Sequence, residues 1–202
     1  MKQDTLITLF PSLVYKTNIQ RKLNNEEKKL LQDKSLNVRK NDFNYTGVDN
    51  KILKYNEFKN LNNFVQEKID FFVKSFIKPK YDFKCYITKS WLNFNNKGNF
   101  HQRHTHSNSF LSGVFYLNVG DQGEITFLTP FNNLFNIENT ETNHFNADYA
   151  RIKVKNGDLL IFYSHLEHKV DINQSNETRV SLSFNTFIKG KLNNEFSSGL
   201  EI

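Results

Sequence analysis

Cysteine is nearly absent. Cys85 is the only one in 202 residues, so no disulfide can close within the chain and no cysteine-based zinc cluster can form. A lone thiol also suits a reducing compartment, so a cytoplasmic location is expected. Proline (3) and glycine (8) are scarce as well, which argues against a linker-rich or low-complexity chain. Long apolar runs are missing at the N-terminus and elsewhere, so neither a signal peptide nor a membrane span is expected. Asn-X-Thr triplets such as Asn44-Tyr45-Thr46 are then incidental.

Aromatic rings are what the chain has in quantity. Twenty Phe and eight Tyr supply much of its apolar area, and 202 residues suffice for one domain, 1–202, with a real core. The net charge of +6 is unevenly spread. Residues 1–100 hold 19 Lys/Arg against 10 Asp/Glu, whereas residues 101–202 hold 8 against 11. The half that contains the histidines is therefore not the basic half. A solvated lysine-rich face accounts for the excess better than a nucleic-acid or phosphate surface does.

The first part of the chain mixes short elements. Thr5–Tyr15 reads as a β segment interrupted at Pro11. Asn24 with Glu27 has the spacing of a capping pair, opening a short helix to about Lys34. Residues 38–50 are polar and turn-rich, so a loop is expected. A longer helix from about Glu57 to Ile77 places Leu61, Phe64, Val65, Ile69, Phe72, Val73 and Phe76 on one stripe, suited to covering a sheet, and Pro79 ends it. These segments form a helical support over about 20–80.

From Tyr81 the period changes to two. Tyr81, Phe83, Cys85, Ile87, Trp91 and Asn93 are expected on one face of a strand, followed by a turn at 95–98. Further strands are expected at 110–119, 123–128, 149–154, 158–163, 167–172 and 178–188, with an irregular segment at 130–148 and a tail over the last twelve residues. Irregular chain of that length in a compact fold is usually functional, and a lid is the natural reading. A run of antiparallel strands with frequent turns, at about 81–190, suits a sandwich or barrel of the jelly-roll kind, backed by helices.

Two features carry chemistry. His104 and His106 are two apart, so an extended strand directs both to one side, where they can share a metal ion. His168, in a second strand-like stretch, is the third ligand this reading needs. The strand Arg179–Ile188 then divides by parity: Val180, Leu182, Phe184 and Ile188 on one face, and Arg179, Ser181, Ser183 and Asn185 on the other. A strand that only filled a core would not need that polar row. Arg179 and Ser181, two apart, can grip one carboxylate, either from the protein or from a ligand.

Taken together these residues resemble the iron(II)- and 2-oxoglutarate-dependent oxygenases, and within them the 2-oxoglutarate/Fe(II) oxygenases of phages and marine bacteria, of the prolyl-hydroxylase-like superfamily. The resemblance rests on Leu9–Tyr15, Ser90–Asn93, His104–Leu117, and His168 through Arg179–Asn185. It implies a mainly β double-stranded β-helix, a cupin-like jelly-roll barrel, with Fe(II) in its mouth and 2-oxoglutarate and O2 as cosubstrates. It also implies a host-cytoplasm location if the chain is phage-encoded. By position His104 matches the first ligand and His168 the distal one. His106 stands where the superfamily usually has a carboxylate; the alternative is that His106 lies beside the site and a carboxylate completes the triad. Arg179 and Ser181 would hold the far carboxylate of 2-oxoglutarate, while Asn93, Tyr116 and Tyr163 are candidates to line the pocket. The implied activity is hydroxylation of a substrate C–H bond, on a peptide side chain or a small metabolite; oligomeric state is not legible.

Two other functions compete. Gly98 precedes His104 by six residues, as in the first cupin box, but no acid follows at 107–110 and the Arg-X-Ser pair is left unused. A non-enzymatic β-sandwich would make the histidines incidental. Among the remaining candidates, His101 and His165 lack the ligand spacing, His144 is expected at the surface, and Glu167 and Asp171 alternate away from His168.

Overall fold

The computed structural model describes residues 7, 9–120, 123–130, 137–193 and 200–201. Its elements run β1 (Val14–Asn18), α1 (Asn25–Ser35), β2 (Val38–Lys40), β3 (Tyr45–Gly47), α2 (Lys59–Phe72), β4 (Phe83–Asn95), β5 (His101–His104), β6 (Leu111–Asn118), β7 (Glu124–Leu128), β8 (Tyr149–Lys153), β9 (Asp158–Tyr163), β10 (His168–Val170) and β11 (Arg179–Gly190). The strands form a seven-stranded sheet ordered β1-β9-β6-β11-β4-β3-β2 and a four-stranded sheet ordered β5-β10-β7-β8. All pairings between these strands are antiparallel. From β4 to β11 the chain passes repeatedly from one sheet to the other, which is the winding of a double-stranded β-helix.

The support is built as the pattern requires. Asn24 accepts from the Glu27 N–H at 2.8 Å, and the Glu27 carboxylate accepts from the Asn24 N–H at 2.8 Å, so α1 starts with a closed capping box. The longer helix is entered through a 3₁₀ turn at Asn56–Phe58 and leaves through a π turn at Val73–Ile77, with Lys78 left-handed (φ 49°) just before Pro79. Leu61, Val65, Ile69 and Phe72 of α2 are fully buried against the outer face of the large sheet, where Leu92, Phe115, Leu159, Ile161, Leu182 and Phe184 meet them. Each such side chain contributes roughly 1.5–3 kcal/mol through burial. Gly113 lies beneath Phe184: a Cβ there would sit 2.6 Å from the Leu160 carbonyl oxygen and overlap the Phe184 ring.

A second apolar cluster fills the space between the sheets and includes Val114, Tyr116, Ile125, Phe127, Leu160, Phe162 and Leu166. The site lies among these inward-facing residues.

Several expectations are corrected here. The segment 38–50 is no simple loop, since it contains β2 and β3, which extend the large sheet past β4. The opening strand begins only at Val14, after Phe10 adopts φ 52°; residues 1–6 and 8 lie outside the description. The C-terminal stretch folds back, with Lys191 bridged to Glu201. Most consequential is β4. Thr88 has no partner in β11, because Lys89 pairs with Asn185 and Ile87 with Thr186. This bulge reverses the parity. Cys85 and Ile87 therefore pack under the helices with the outer cluster. Trp91 and Asn93 face inward, as the cross-strand partners of Ser183 and Ser181. Tyr81 precedes the strand. The expected single face is thus two.

Candidate metal centre

Three imidazoles meet at the mouth of the small sheet. His104 ends β5 and is the cross-strand partner of His168, the first residue of β10. His106 lies two residues beyond, and its N–H donates to the Ser164 carbonyl at 2.9 Å, fixing the loop to the β9–β10 turn. Ring centroids are 4.4 Å apart for His104 and His168, 5.1 Å for His104 and His106, and 5.2 Å for His106 and His168. One ring nitrogen from each lies within 4.8 Å of the others. Among the described residues no carboxylate joins this group.

The backbone sets which nitrogen is offered. His104 Nδ1 lies 2.8 Å from the Gln102 carbonyl oxygen, and His168 Nδ1 lies 2.9 Å from that of Leu166. A carbonyl can only accept, so Nδ1 carries the proton and Nε2 keeps its lone pair. Burial, and then His104, pushes His168 down to about 4; burial, and then His168, His104 and His101, pushes His106 down to about 3. Both rings are therefore neutral at pH 7. Phe127 and Phe162 pack on the His168 ring, at centroid distances of 5.7 and 4.8 Å. The donor set suits a divalent cation with affinity for imidazole.

His101 is the site residue that spacing misses. Three residues of β5 span the interval that two span in β10, since His104 pairs with His168 and His101 with Val170. The bulge brings residues three apart onto one face. His101 accordingly stacks on His104, 4.3 Å between centroids with planes 14° apart. Burial, and then His104 and His168, lower it to about 4. His165 instead stacks on Tyr163, and His144 is exposed. Glu167 is turned outward into a two-pronged pair with Arg103 at 2.8 and 2.6 Å, and Asp171 pairs with Lys169 at 2.7 Å.

Across the interior stands the polar row of β11. Arg179 is opposite Asn95, Ser181 opposite both Asn93 and Tyr116, and Ser183 opposite Trp91 and Val114. Arg179 is only 6% exposed, with its guanidinium carbon 5.3 Å from the centre of the Tyr116 ring. Burial lowers the Arg179 pKa, against the counter-pull of Tyr116. Tyr116 is pushed up to about 12 by burial, with the Arg179 charge acting the other way. Ser181 is half-buried in this row. Asn93 is already engaged: its Nδ2 donates to Ser183 Oγ at 2.9 Å and its Oδ1 accepts from Thr46 at 3.2 Å. Tyr163 is not in the interior. It packs edge-on against Phe72 of α2 and Phe110, on the helix side.

The loop that carries His106 rests on a knot of hydroxyls. Ser164 Oγ is 2.8 Å from both Ser109 and Ser112, and Ser112 donates to Asn185 Oδ1 at 2.9 Å. Trp91 closes the same side, 6.0 Å from the His106 ring.

Residues 89–185 match the family described as "Putative 2OG-Fe(II) oxygenase". Solved structures with a similar fold include a Pseudomonas putida prolyl-4-hydroxylase (TM-score 0.58, 12% identity, covering 86% of this chain and 92% of that one). HygX from Streptomyces hygroscopicus, solved with nickel, 2-oxoglutarate and hygromycin B, gives a TM-score of 0.57 at 9% identity over 87% of this chain and 82% of that one. A 2OG-Fe(II) oxygenase-family oxidoreductase from Burkholderia pseudomallei gives 0.52 at 14% identity over 79% and 77%. A search of curated proteins finds no match.

Proposed function

We propose, from the match of residues 89–185 to the 2OG-Fe(II) oxygenase family, that this chain is such an oxygenase and hydroxylates a substrate C–H bond using Fe(II), 2-oxoglutarate and O2. The observation that carries the reading is the pairing of two sites across one interior. Three imidazoles converge on one side, and a buried guanidinium stands in the facing sheet. When bound, Fe(II) with 2-oxoglutarate supplies the oxidising chemistry: one atom of O2 ends in the alcohol, the other in succinate, and CO2 is released.

His104, His106 and His168 hold the metal in this reading, each through an imidazole nitrogen. Replacing the usual carboxylate by His106 leaves the protein ligands without charge. The two negative charges of 2-oxoglutarate then balance a divalent ion. Arg179 presents its fork of N–H donors to the far carboxylate, with Ser181 and Tyr116 adding hydroxyl donors. Two donors beside Arg179, Asn95 Nδ2 and the Tyr116 hydroxyl, are buried and have no hydrogen-bond partner among the described residues. That is the environment an anionic oxygen requires. Phe127, Phe162 and Leu160 exclude water from the interior. The substrate is a peptide side chain or small metabolite that presents its C–H bond at the histidine end.

The test is succinate formation. Purified protein given Fe(II), 2-oxoglutarate and O2 should release succinate, and His168→Ala should not. Equal succinate release from both would refute the assignment.

A further inference from the structure

The first half of β4 has a strand on one side only. β11 pairs with it along its whole length. On the other side β3 meets only Asn93 and Phe94, and the chain that follows makes its last contact where the Asn50 carbonyl accepts from the Ser90 N–H at 2.9 Å. From Phe83 to Lys89 no described strand lies on this side. The backbone there is aimed outward. Thr186, the partner of Ile87, turns its carbonyl to the Phe110 N–H and its own N–H to Ser109 Oγ, away from β4. In an antiparallel pair the opposite residue does the same, so Ile87 directs its N–H and C=O to the open edge. Cys85, two residues back, confirms the direction: its carbonyl accepts from Gln66 Nε2 of α2 at 2.8 Å.

A cavity of about 180 Å³ runs along this edge, lined by Lys51, Lys54 and Lys89 together with Asn62, Tyr86 and Thr88. No acidic residue lines it. Lys16, Lys34, Lys68 and Lys169 each lie within 4 Å of a carboxylate, whereas these three lysines have no such partner among the described residues. One lysine is enough to keep an edge strand from pairing with a second copy. Three around one recess repel each other, and negative charge relieves that repulsion.

The edge also leads to the metal centre. Lys89 pairs with Asn185 and Trp91 with Ser183, so both stand on the inward face of the sheet. The Trp91 ring is 6.0 Å from that of His106. Past the bulge the same face continues with Tyr86 opposite Phe187, both exposed. About five residues of extended chain cover the distance from Tyr86 to Trp91.

We infer that this edge docks an extended acidic peptide. Its main chain continues the large sheet beside β4, its carboxylates meet Lys51, Lys54 and Lys89, and the side chain to be oxidised follows at the Trp91 end. A peptide fits better than a nucleic acid, because the open edge offers both N–H and C=O and a sugar-phosphate backbone has no regular row of donors to answer the carbonyls. The inference deepens the function proposed above by naming a substrate class, and it rests on that function.

The test is binding without turnover. Full-length protein loaded with Co(II) is titrated, under fluorescence anisotropy, with a fluorescein-labelled peptide of five Glu-Val repeats. Two controls are a Lys-Val peptide of the same length and the Glu-Val peptide N-methylated at every valine. The Glu-Val peptide should bind at least 10-fold more tightly than either. A variant combining Lys51→Glu, Lys54→Glu and Lys89→Glu should bind it roughly 10-fold more weakly or worse, with Co(II) affinity unchanged. Co(II) should also shift the proton resonances of the bound peptide, most strongly toward one end. Equal binding of the Lys-Val peptide, or no loss in the triple variant, overturns the proposal. So does an N-methylated peptide that binds as well as its parent, which marks a surface for any anion. A bound peptide with no Co(II)-induced shift overturns its place as substrate. Shifts as expected but no succinate released with Fe(II), 2-oxoglutarate and O2 overturn the proposed function and leave the peptide site standing.

Discussion

The two faces of the large sheet are made from the same strands but answer to different demands. Toward the helices, β11 presents Leu182 and Phe184, both fully buried in a continuous apolar cluster. Toward the small sheet it presents Arg179, Ser181, Ser183 and Asn185, beside Asn93, Asn95 and Tyr116. The outer face is satisfied by packing, and its buried polar groups are paired: Ser90 Oγ accepts from the Leu53 N–H and Thr186 Oγ1 donates to the Leu111 carbonyl. On the inner face Asn95 and Tyr116 each keep a buried donor without a partner among the described residues. A face that holds the fold together has no need of such donors, so their presence points to a ligand. The strand alternation lets one element do both, because a substitution at one parity leaves the other face in place.

That separation can be broken by experiment. The largest effect is expected at the metal. His168→Ala should weaken binding of Fe(II) or Co(II) by more than the roughly 10- to 100-fold that losing an outer hydrogen-bond partner costs, as measured by anaerobic equilibrium dialysis. Arg179→Ala should leave that metal affinity in place and abolish 2-oxoglutarate binding. Arg179→Lys should rescue it only in part, since an ammonium lacks the planar fork. On the outer face, Leu182→Ala should lower stability by about 2–5 kcal/mol in chemical denaturation, with metal affinity unchanged. If Leu182→Ala weakened the metal as much as it weakened the fold, the two faces would not be independent.

Smaller effects sharpen the contrast. Cys85 is on the helix side, its thiol 3.3 Å from Thr186 Oγ1 and pushed up to about 11 by burial. The folded state therefore holds this proton more tightly than the unfolded one. Stability should be indifferent to this thiol below pH 9 and should fall between about pH 9 and 11, by on the order of 1.4 kcal/mol per pH unit. Cys85→Ala should remove that part of the decline. Smallest of all, His101→Phe should preserve the stack on His104 and bind Co(II) nearly as well as wild type, whereas His101→Ala should weaken it several-fold, on the order of an outer-partner effect. Equal behaviour of the two variants would deny His101 its role in holding the His104 ring.

Much of the fold was legible because its signals are local. The Asn24 and Glu27 pair became a capping box, the stripe Leu61–Val65–Ile69–Phe72 became the buried face of α2, and the parity of Arg179–Asn185 was kept. The interval of two between His104 and His106 also survived as a shared side. The rest failed at bulges. One unpaired residue at Thr88 reversed the expected face of Trp91 and Asn93, and a second irregularity in β5 turned His101 inward beside His104. A bulge is decided by what the partner strand pairs with, and alternation counted along one strand has no means of registering it. β2 and β3 were missed for a related reason: three residues each are too few to show a period, and their partners are distant in sequence. Asn95 escaped notice because it was read as the start of a turn, where asparagine is commonplace.

The most direct test of the central claim is whether metal and 2-oxo acid bind as one unit. Anaerobic calorimetry should give one Fe(II) per chain, and then one 2-oxoglutarate that binds only when the metal is present, with both steps lost in His168→Ala and only the second lost in Arg179→Ala. Binding of 2-oxoglutarate that ignores the metal, or iron affinity that survives in His168→Ala, would contradict the account.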